Sequence, residues 1–406
     1  MRTAPSHRPA VGVVALGIVV LALSLRGPIV AVTPVLSQVA DDLGLGRGGA
    51  GLLATLPVLA FAVLSPAAAL VIRRLGPEAA VVLALGGVLV SQLVRSVPTA
   101  PTVFAGTIGL GVAITVGNIV VPVLIQRDVA PARVGAMTGL YAAVLNVGTL
   151  LTTLATAPLA ALVGWPGALA SWASLAVVGL VVWAVILRRR PAVPEDHRAS
   201  PAPAERAPSR PVTRLGVTWL LGLTFCVQAF SYFGFTTWLP TYLVDTTGSA
   251  PTGAGALAST FQAWGILGSL LVPVLARLTD PRWTAAVVGS LWVSLSVGVV
   301  LAPGALSLWL ALGGVAQAGG FVVVFSTVAY AARDSRETAG MSALVQSLGY
   351  VAAAGAGPAL GALHTVTGAW DVPLLLLVGT TSLYAVLSVT AVLQVQRRAV
   401  PDVAPR

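Results

Sequence analysis

Between residues 11 and 395 the chain is a succession of apolar runs about 20 residues long, separated by short breaks that hold the charges, Gly and Pro. A helix rises ~1.5 Å per residue, so such a run matches the ~30 Å hydrocarbon layer of a bilayer. Within that layer each backbone polar group must find its partner inside the segment, which makes every run a helix. Twelve runs are read, at about 11–38, 50–72, 79–97, 101–125, 136–162, 166–187, 215–244, 253–276, 283–302, 306–330, 338–363 and 372–395. The expected fold class is an all-α polytopic membrane protein with twelve transmembrane helices. The first run is too long for a cleaved leader and no small-residue cleavage site follows it, so it is expected to stay in the membrane.

The formal net charge is +10, and all 23 basic residues are arginine. Their placement decides what the charge means. Alternate connections carry Arg2 and Arg8, Arg73 and Arg74, Arg127 and Arg133, the group from Arg188 to Arg214, Arg277 and Arg282, Arg333 and Arg336, and the three arginines after the last run. The opposite connections carry only Arg47 and Arg95. This asymmetry predicts that both termini and the central connection are cytoplasmic, in the inner membrane of a bacterium. The charge is read as topology, and no nucleic acid partner is expected. A single cysteine, Cys226, allows neither an intrachain disulfide nor a cysteine metal cluster, so neither metal nor cofactor is expected.

Residues 188–214, "RRRPAVPEDHRASPAPAERAPSRPVTR", are rich in Arg, Pro and Ala without hydrophobic periodicity and read as a cytoplasmic linker. The chain then divides into a tail at 1–10, a six-helix bundle at 11–187, the linker, a second six-helix bundle at 215–395 and a tail at 396–406. The halves repeat one another. "GAGLLAT" at 49–55 returns as "GAGALAS" at 253–259, and Ser24, Gly27 and Pro34 return as Ser231, Gly234 and Pro240. Arg127-Asp128 echoes Arg333-Asp334. With six spans each, both copies start on the same side, which is a parallel repeat about an axis along the membrane normal. Two such halves rocking about a central site is the architecture of the major facilitator superfamily, the expected fold. Arg73, Arg74, Arg127, Asp128, Arg277, Arg333 and Asp334 are read as gating residues at the inner face, topology being the alternative for the arginines.

The remaining arginine is Arg26. It stands about fifteen residues into the first run, near mid-membrane, where a charge costs ~2.5–3.5 kcal/mol on insertion scales. The repeat places Phe233 at its counterpart position, and no acidic residue falls in the middle of a run to neutralise it. Two readings stand. Arg26 is a counter-charge for an anionic or strongly electronegative ligand, or it binds backbone carbonyls freed by the Gly27-Pro28 helix break.

Other mid-run polar and aromatic residues share helix faces at four-residue spacing: Gln228 with Tyr232, Gln346 with Tyr350, and Gln317 with Phe321 and Phe325. Asn118, Asn146 and Gln262 add single amides. Together with Arg26 these are candidates for the cavity lining, interhelical glue being the other role of such amides. Trp238 and Trp264 are expected to narrow the cavity, and Trp165, Trp219, Trp283 and Trp370 to anchor span ends at the interface. Without a central Asp, Glu or Lys, coupling through the substrate's own charge or facilitated diffusion fits better than a carboxylate relay. His364 is a weak relay candidate.

Several segments together resemble the cyanate transporter and 2-nitroimidazole transporter branch of the superfamily, from about residue 15 to about 385. They are "LSLRGPIVAVTPVLSQVADDLGL" (23–45), "GAGLLATLPVLAFAVLSP" (49–66), "GLGVAITVGNIVVPVLIQRD" (109–128), "FSYFGFTTWLPTYL" (230–243) and the stretch from 316 to 370 containing Gln346-Ser347-Leu348-Gly349-Tyr350. The resemblance implies a secondary transporter moving a small anionic or electronegative solute such as cyanate by alternating access. The alternative is proton-coupled efflux of drugs or small heterocycles such as 2-nitroimidazole. The expected partners are that solute and membrane lipid, and the chain is expected to work as a monomer. No intramembrane His/Glu metal pair, Gly-x-Ser-x-Gly element or aspartate pair argues for an enzyme. A non-transporting receptor on the same fold is the third reading.

Overall fold

The computed structural model describes residues 11–45, 47–189, 211–248 and 251–399. The expected tail at 1–10, residues 400–406 of the expected tail at 396–406, and linker residues 190–210 lie outside the described residues, while residues 396–399 continue the last helix. Helices α1 (Val11–Val30), α3 (Arg47–Leu75), α4 (Pro77–Arg95), α5 (Ala100–Asp128), α6 (Val134–Ser171) and α7 (Ala173–Arg189) form the first half. Helices α8 (Gly216–Thr247), α9 (Pro251–Leu278), α10 (Pro281–Leu301), α11 (Leu306–Ala331), α12 (Ser335–Thr367) and α13 (Asp371–Ala399) form the second, and α2 (Leu36–Asp42) is a short helix after the first crossing. No strand occurs among the described residues.

Among the described residues, eleven stretches are long and apolar enough to cross a membrane, one of them the 58-residue run Pro131–Arg188. That run is too long for a single crossing at ~1.5 Å per residue. It is broken at Gly164, whose φ of 73° and ψ of 163° are strained for any residue with a Cβ. The break falls between the apolar runs 136–162 and 166–187, which restores twelve crossings. Other crossings are delimited by local signals. The Asp280 side chain accepts from the Arg282 N–H to cap α10, and Asp334 accepts from the Glu337 N–H at 2.7 Å to cap α12.

The halves are built alike. In the first, α1 packs on α6 and α7, α3 on α5, and α4 on α5 and α7; in the second, α8 packs on α12 and α13, α9 on α11, and α10 on α11 and α13. The halves meet along α3 with α12 and α6 with α9, pairs related by the same repeat. At the α6–α9 seam a Cβ on Gly139 would run into the Ser269 carbonyl oxygen and the Pro273 ring. Small residues permit such approach where lipid supplies no hydrophobic drive between helices. Many buried hydroxyls bond inside their own helices, as in Thr115 to the Gly111 carbonyl at 2.6 Å, or between helices, as in Ser231 with Thr380 at 2.7 Å.

The alternation of crossings brings the ends of α3, α5, α9 and α13 and the starts of α8, α10 and α12 to one face, with Arg73, Arg74, Arg127, Arg214, Arg277, Arg282, Arg336 and Arg397. This is the arginine-rich face.

Candidate functional site

A small cavity lies between the halves. Arg26 enters it from α1 and Asn146 from α6; Phe225, Gln228, Tyr232 and Phe233 come from α8, Gln317 and Phe321 from α11, and Tyr350 from α12. Phe225, Gln228 and Tyr232 recur every three or four residues, so one stripe of α8 forms much of the wall. No carboxylate lines it.

The polar groups are joined in sequence. Arg26 Nη2 donates to the Tyr232 hydroxyl at 2.9 Å, and the guanidinium carbon lies 5.6 Å from the Tyr232 ring centre, within cation–π range. Gln262 Nε2 donates to the same hydroxyl at 2.8 Å. Gln228 Nε2 donates to the Gln317 carbonyl at 2.7 Å, and Asn146 Nδ2 to the Ala142 carbonyl of its own helix at 3.1 Å.

Aromatic rings from both halves lie on the arginine-rich side of this network. Phe225 is nearly two turns, ~10 Å, closer to that face than Tyr232. Its ring centre is 5.8 Å from Tyr350, 6.2 Å from Phe321 and 5.2 Å from Phe325. From the first half, Phe61 meets Tyr350 at 4.8 Å and Tyr141 meets Phe321 at 6.1 Å. Beyond this floor, the Tyr330 hydroxyl donates to the Pro131 carbonyl at 2.9 Å and Ser335 Oγ to Gln126 Oε1 at 3.3 Å, both between halves. These bonds between halves, with that of Ser347 Oγ to the Ala62 carbonyl, lie at the level of Arg26 or on its arginine-rich side. The conformation is therefore the one closed at that face.

A helix bundle of this connectivity, with a polar cavity on its pseudo-symmetry axis, matches a family profile described as Major Facilitator Superfamily over residues 14–354. The chain belongs to the major facilitator superfamily. It is 30% identical over 368 residues to an uncharacterized transporter of Bacillus subtilis (strain 168), covering 89% of each chain. It is also 30% identical to the 2-nitroimidazole transporter of Escherichia coli (strain K12), covering 88% of this chain and 90% of that one. A nitrite extrusion protein of Bacillus subtilis (strain 168) is 26% identical over 62% of this chain and 61% of its own length. In fold, the chain superposes on the E. coli fucose:proton symporter with a TM-score of 0.72 at 11% identity, covering 93% and 97% of the two chains. The chain is thus a superfamily transporter in the same branch as the 2-nitroimidazole transporter.

Within this superfamily bundle the candidate residues separate. Arg26, Asn146, Gln228, Tyr232, Gln317, Phe321 and Tyr350 share the wall. Asn118 stands off it, its Oδ1 accepting from the Tyr141 hydroxyl at 3.0 Å, and Gln262 stands behind Tyr232. Gln346 is buried one turn from Tyr350, outside the wall. Trp238 donates to the Gly357 carbonyl at 2.9 Å and lines a separate apolar pocket with Trp370, so it does not narrow the cavity. Nor does Trp264, which is 41% exposed. His364 packs on Trp370 at 4.2 Å, away from the wall. Trp219 and Trp283 are exposed at helix starts as expected of anchors, whereas Trp165 is buried and donates to Asp42 Oδ2 at 2.6 Å.

Of the expected gating residues, Arg73, Arg74 and Arg277 are exposed side chains on the arginine-rich face. Arg127 bonds Glu78 at 2.7 Å and its neighbour Asp128 at 2.7 Å, bracing α5 to α4 inside the first half. Asp334 caps α12, and the Arg333 N–H donates to Glu337 Oε2 at 2.8 Å. The ties between halves come instead from Gln126, Pro131, Tyr330 and Ser335. Gln126 directly precedes Arg127-Asp128 and Ser335 directly follows Arg333-Asp334, so the repeated motif marked the place but not the residues.

Sequence reasoning also missed Phe225 and Phe233 on the wall, and Arg95. Arg95 reads as an outer-connection residue, yet it is fully buried at the end of α4. Its Nη2 donates to the Pro28 carbonyl at 2.7 Å and to Gln92 Oε1 at 3.0 Å. Because α1 ends at Val30, Pro28 belongs to the last turn, whose carbonyls lack helical partners. A cation at a helix C-terminus is also favoured by the helix dipole. The carbonyl-binding role considered for Arg26 is thus filled by Arg95.

A roomier cleft opens near the arginine-rich face, lined by Val272, Val323, Tyr330 and Val392 of the second half and Gly135 of the first. It has no charged residue in its lining.

Proposed function

We propose that this transporter carries a small, planar, electronegative solute, held by Arg26, as its two halves rock about the central cavity. The observation that carries the reading is the Arg26–Tyr232 bond. It joins the halves at the cavity wall, in a lining without a carboxylate to neutralise the guanidinium. A ligand oxygen bearing negative charge completes that donor set. The rings of Phe225, Phe233, Phe321 and Tyr350 around the cavity offer faces on which a planar five-membered ring can stack. The name of the 2-nitroimidazole transporter supports the same class.

Arg26, Asn146, Gln228, Tyr232, Gln317, Phe321 and Tyr350 are the proposed substrate contacts. Asn118 and Gln262 position Tyr141 and Tyr232. Ligand binding would offset the Arg26 charge, lower the cost of closing water out of the cavity, and so link occupancy to rocking. The arginine-rich face is assigned to the cytoplasm of a bacterial inner membrane, with residues 188–214 linking the halves of a monomer. A second reading is cyanate itself, favoured by a permanent charge on Arg26 with no protein counter-charge on the wall.

Counterflow into proteoliposomes of labelled 2-nitroimidazole and of labelled cyanate, wild type beside Arg26→Gln, tests both. Uptake of the heterocycle that vanishes in Arg26→Gln is the expected result. Uptake of cyanate alone selects the second reading, and flux of either solute unaffected by Arg26→Gln defeats the role given to the arginine. Recording internal pH during flux decides whether protons accompany the solute.

A further inference from the structure

The Gln228 amide is held in one orientation. Its Nε2 lies 2.7 Å from the Gln317 main-chain oxygen; a carbonyl only accepts, so the flipped amide would set oxygen against oxygen. Gly320 makes room for the amide, since a Cβ there would stand 3.0 Å from Gln228 Nε2. The other end, Oε1, is buried and has no donor among the described residues, on a side chain that lines the cavity. Buried acceptors are rarely left without a donor, because desolvation is then uncompensated.

One turn along α8 the complementary condition holds. The Tyr232 hydroxyl oxygen accepts from both Arg26 and Gln262, which uses both its lone pairs and leaves its own proton to give. Arg26 keeps further N–H groups beside it. The wall therefore presents donors at Arg26 and Tyr232 and one unanswered acceptor at Gln228. Residues four apart on a helix have Cβ atoms ~5–6 Å apart, about the span of a small substituted ring.

We infer that Gln228 Oε1 receives a ring N–H of the substrate, so that the site selects planar N–H azoles carrying an electronegative acceptor group. The inference rests on the reading of the cavity as a heterocycle site and adds a requirement to it. A bare anion such as cyanate or nitrite has no proton to give and leaves Gln228 Oε1 unanswered. A ring with oxygen in place of N–H sets lone pair against lone pair. Gln228 is then the residue that separates these classes, while Arg26 grips what they share.

The test is equilibrium binding to the full-length purified protein of 2-nitropyrrole and 2-nitrofuran, which differ by N–H against O without added bulk, with cyanate alongside. The expected result is roughly tenfold or more tighter binding of the nitropyrrole, the value of one neutral hydrogen bond to a buried partner. In Gln228→Met the preference should fall to within about twofold. Equal affinity of the two rings for the wild-type protein overturns the inference and leaves the heterocycle reading intact. Binding of cyanate with neither ring bound overturns the heterocycle reading itself. Because the ring pair is compared on the wild-type chain, the test does not depend on the variant folding.

Discussion

Arg26 on α1 and Tyr232 on α8 bridge the two halves of the transporter through one 2.9 Å hydrogen bond at the wall of the central cavity. Each partner belongs to a different rocking body, so the bond reports on both substrate and conformation. In Tyr232→Phe the ring stays beneath the guanidinium while the acceptor is lost. Affinity for 2-nitroimidazole should drop roughly fivefold to thirtyfold, as for ~1–2 kcal/mol of charge-assisted hydrogen bonding. Titration of the purified variant checks this; unchanged affinity would place Tyr232 outside the binding surface.

Two arginines are removed from water here for different reasons, and their variants should differ accordingly. Arg95→Met leaves the Pro28 carbonyl and Gln92 Oε1 without their donor, a loss of about 1–3 kcal/mol of stability for each buried group so stranded. Thermal unfolding in detergent should move to lower temperature, with 2-nitroimidazole affinity within about twofold of wild type. Arg26→Met should show the reverse pattern, lost binding with little change in unfolding.

The tie from Tyr330 to Pro131 stabilises the form closed at the arginine-rich face. Its loss in Tyr330→Phe should release about 1 kcal/mol, a shift of roughly fivefold in the conformational equilibrium. Spin labels at Arg133→Cys and Arg336→Cys, in a Cys226→Ser background, should show a larger population of long distances in Tyr330→Phe. An unchanged distance distribution would mean the tie does not set the balance.

Gly139 faces the Ser269 carbonyl where α6 meets α9. A leucine there cannot be accommodated without parting the seam. Gly139→Leu should fold, favour the form open at the arginine-rich face in the same distance measurement, and transport at less than about a tenth of the wild-type rate. Wild-type flux in the variant would show that the seam does not need to close this tightly.

The cavity wall contains no Asp, Glu or His. Arginine and tyrosine side chains ordinarily keep their charge state between about pH 6 and pH 8. Counterflow rates should therefore vary by less than about twofold across that interval for a substrate whose own charge is constant there. A bell-shaped or tenfold-changing profile would demand a titrating group elsewhere on the transport path.

The central chemistry was legible in part. Arg26 stood out because a charge in an apolar run violates the local pattern, and Gln228, Tyr232, Gln317, Phe321 and Tyr350 followed from four-residue spacing. The same spacing brought in Gln346, which the fold turns away from the cavity. Periodicity groups residues on one face of a helix, but it does not say which neighbour that face meets. Arg95 was misplaced for the related reason that a residue at the end of an apolar run can point to water or inward. Only the position of α1 against α4 brings the Pro28 carbonyl within its reach.

The sequence alone determined the number of crossings, their shared arginine-rich face, the twofold repeat and the anomaly of Arg26. Each of these is a local property of composition along the chain, enforced by the thickness and low polarity of the bilayer. Tertiary structure decided which amides face the cavity, which arginine closes the first helix, and which residues tie the halves together. Those outcomes depend on the rotation and approach of helices far apart in sequence, as when Gly139 lets α6 lie against α9. No single apolar run carries that information, because lipid-facing and cavity-facing turns are written in the same small and apolar residues.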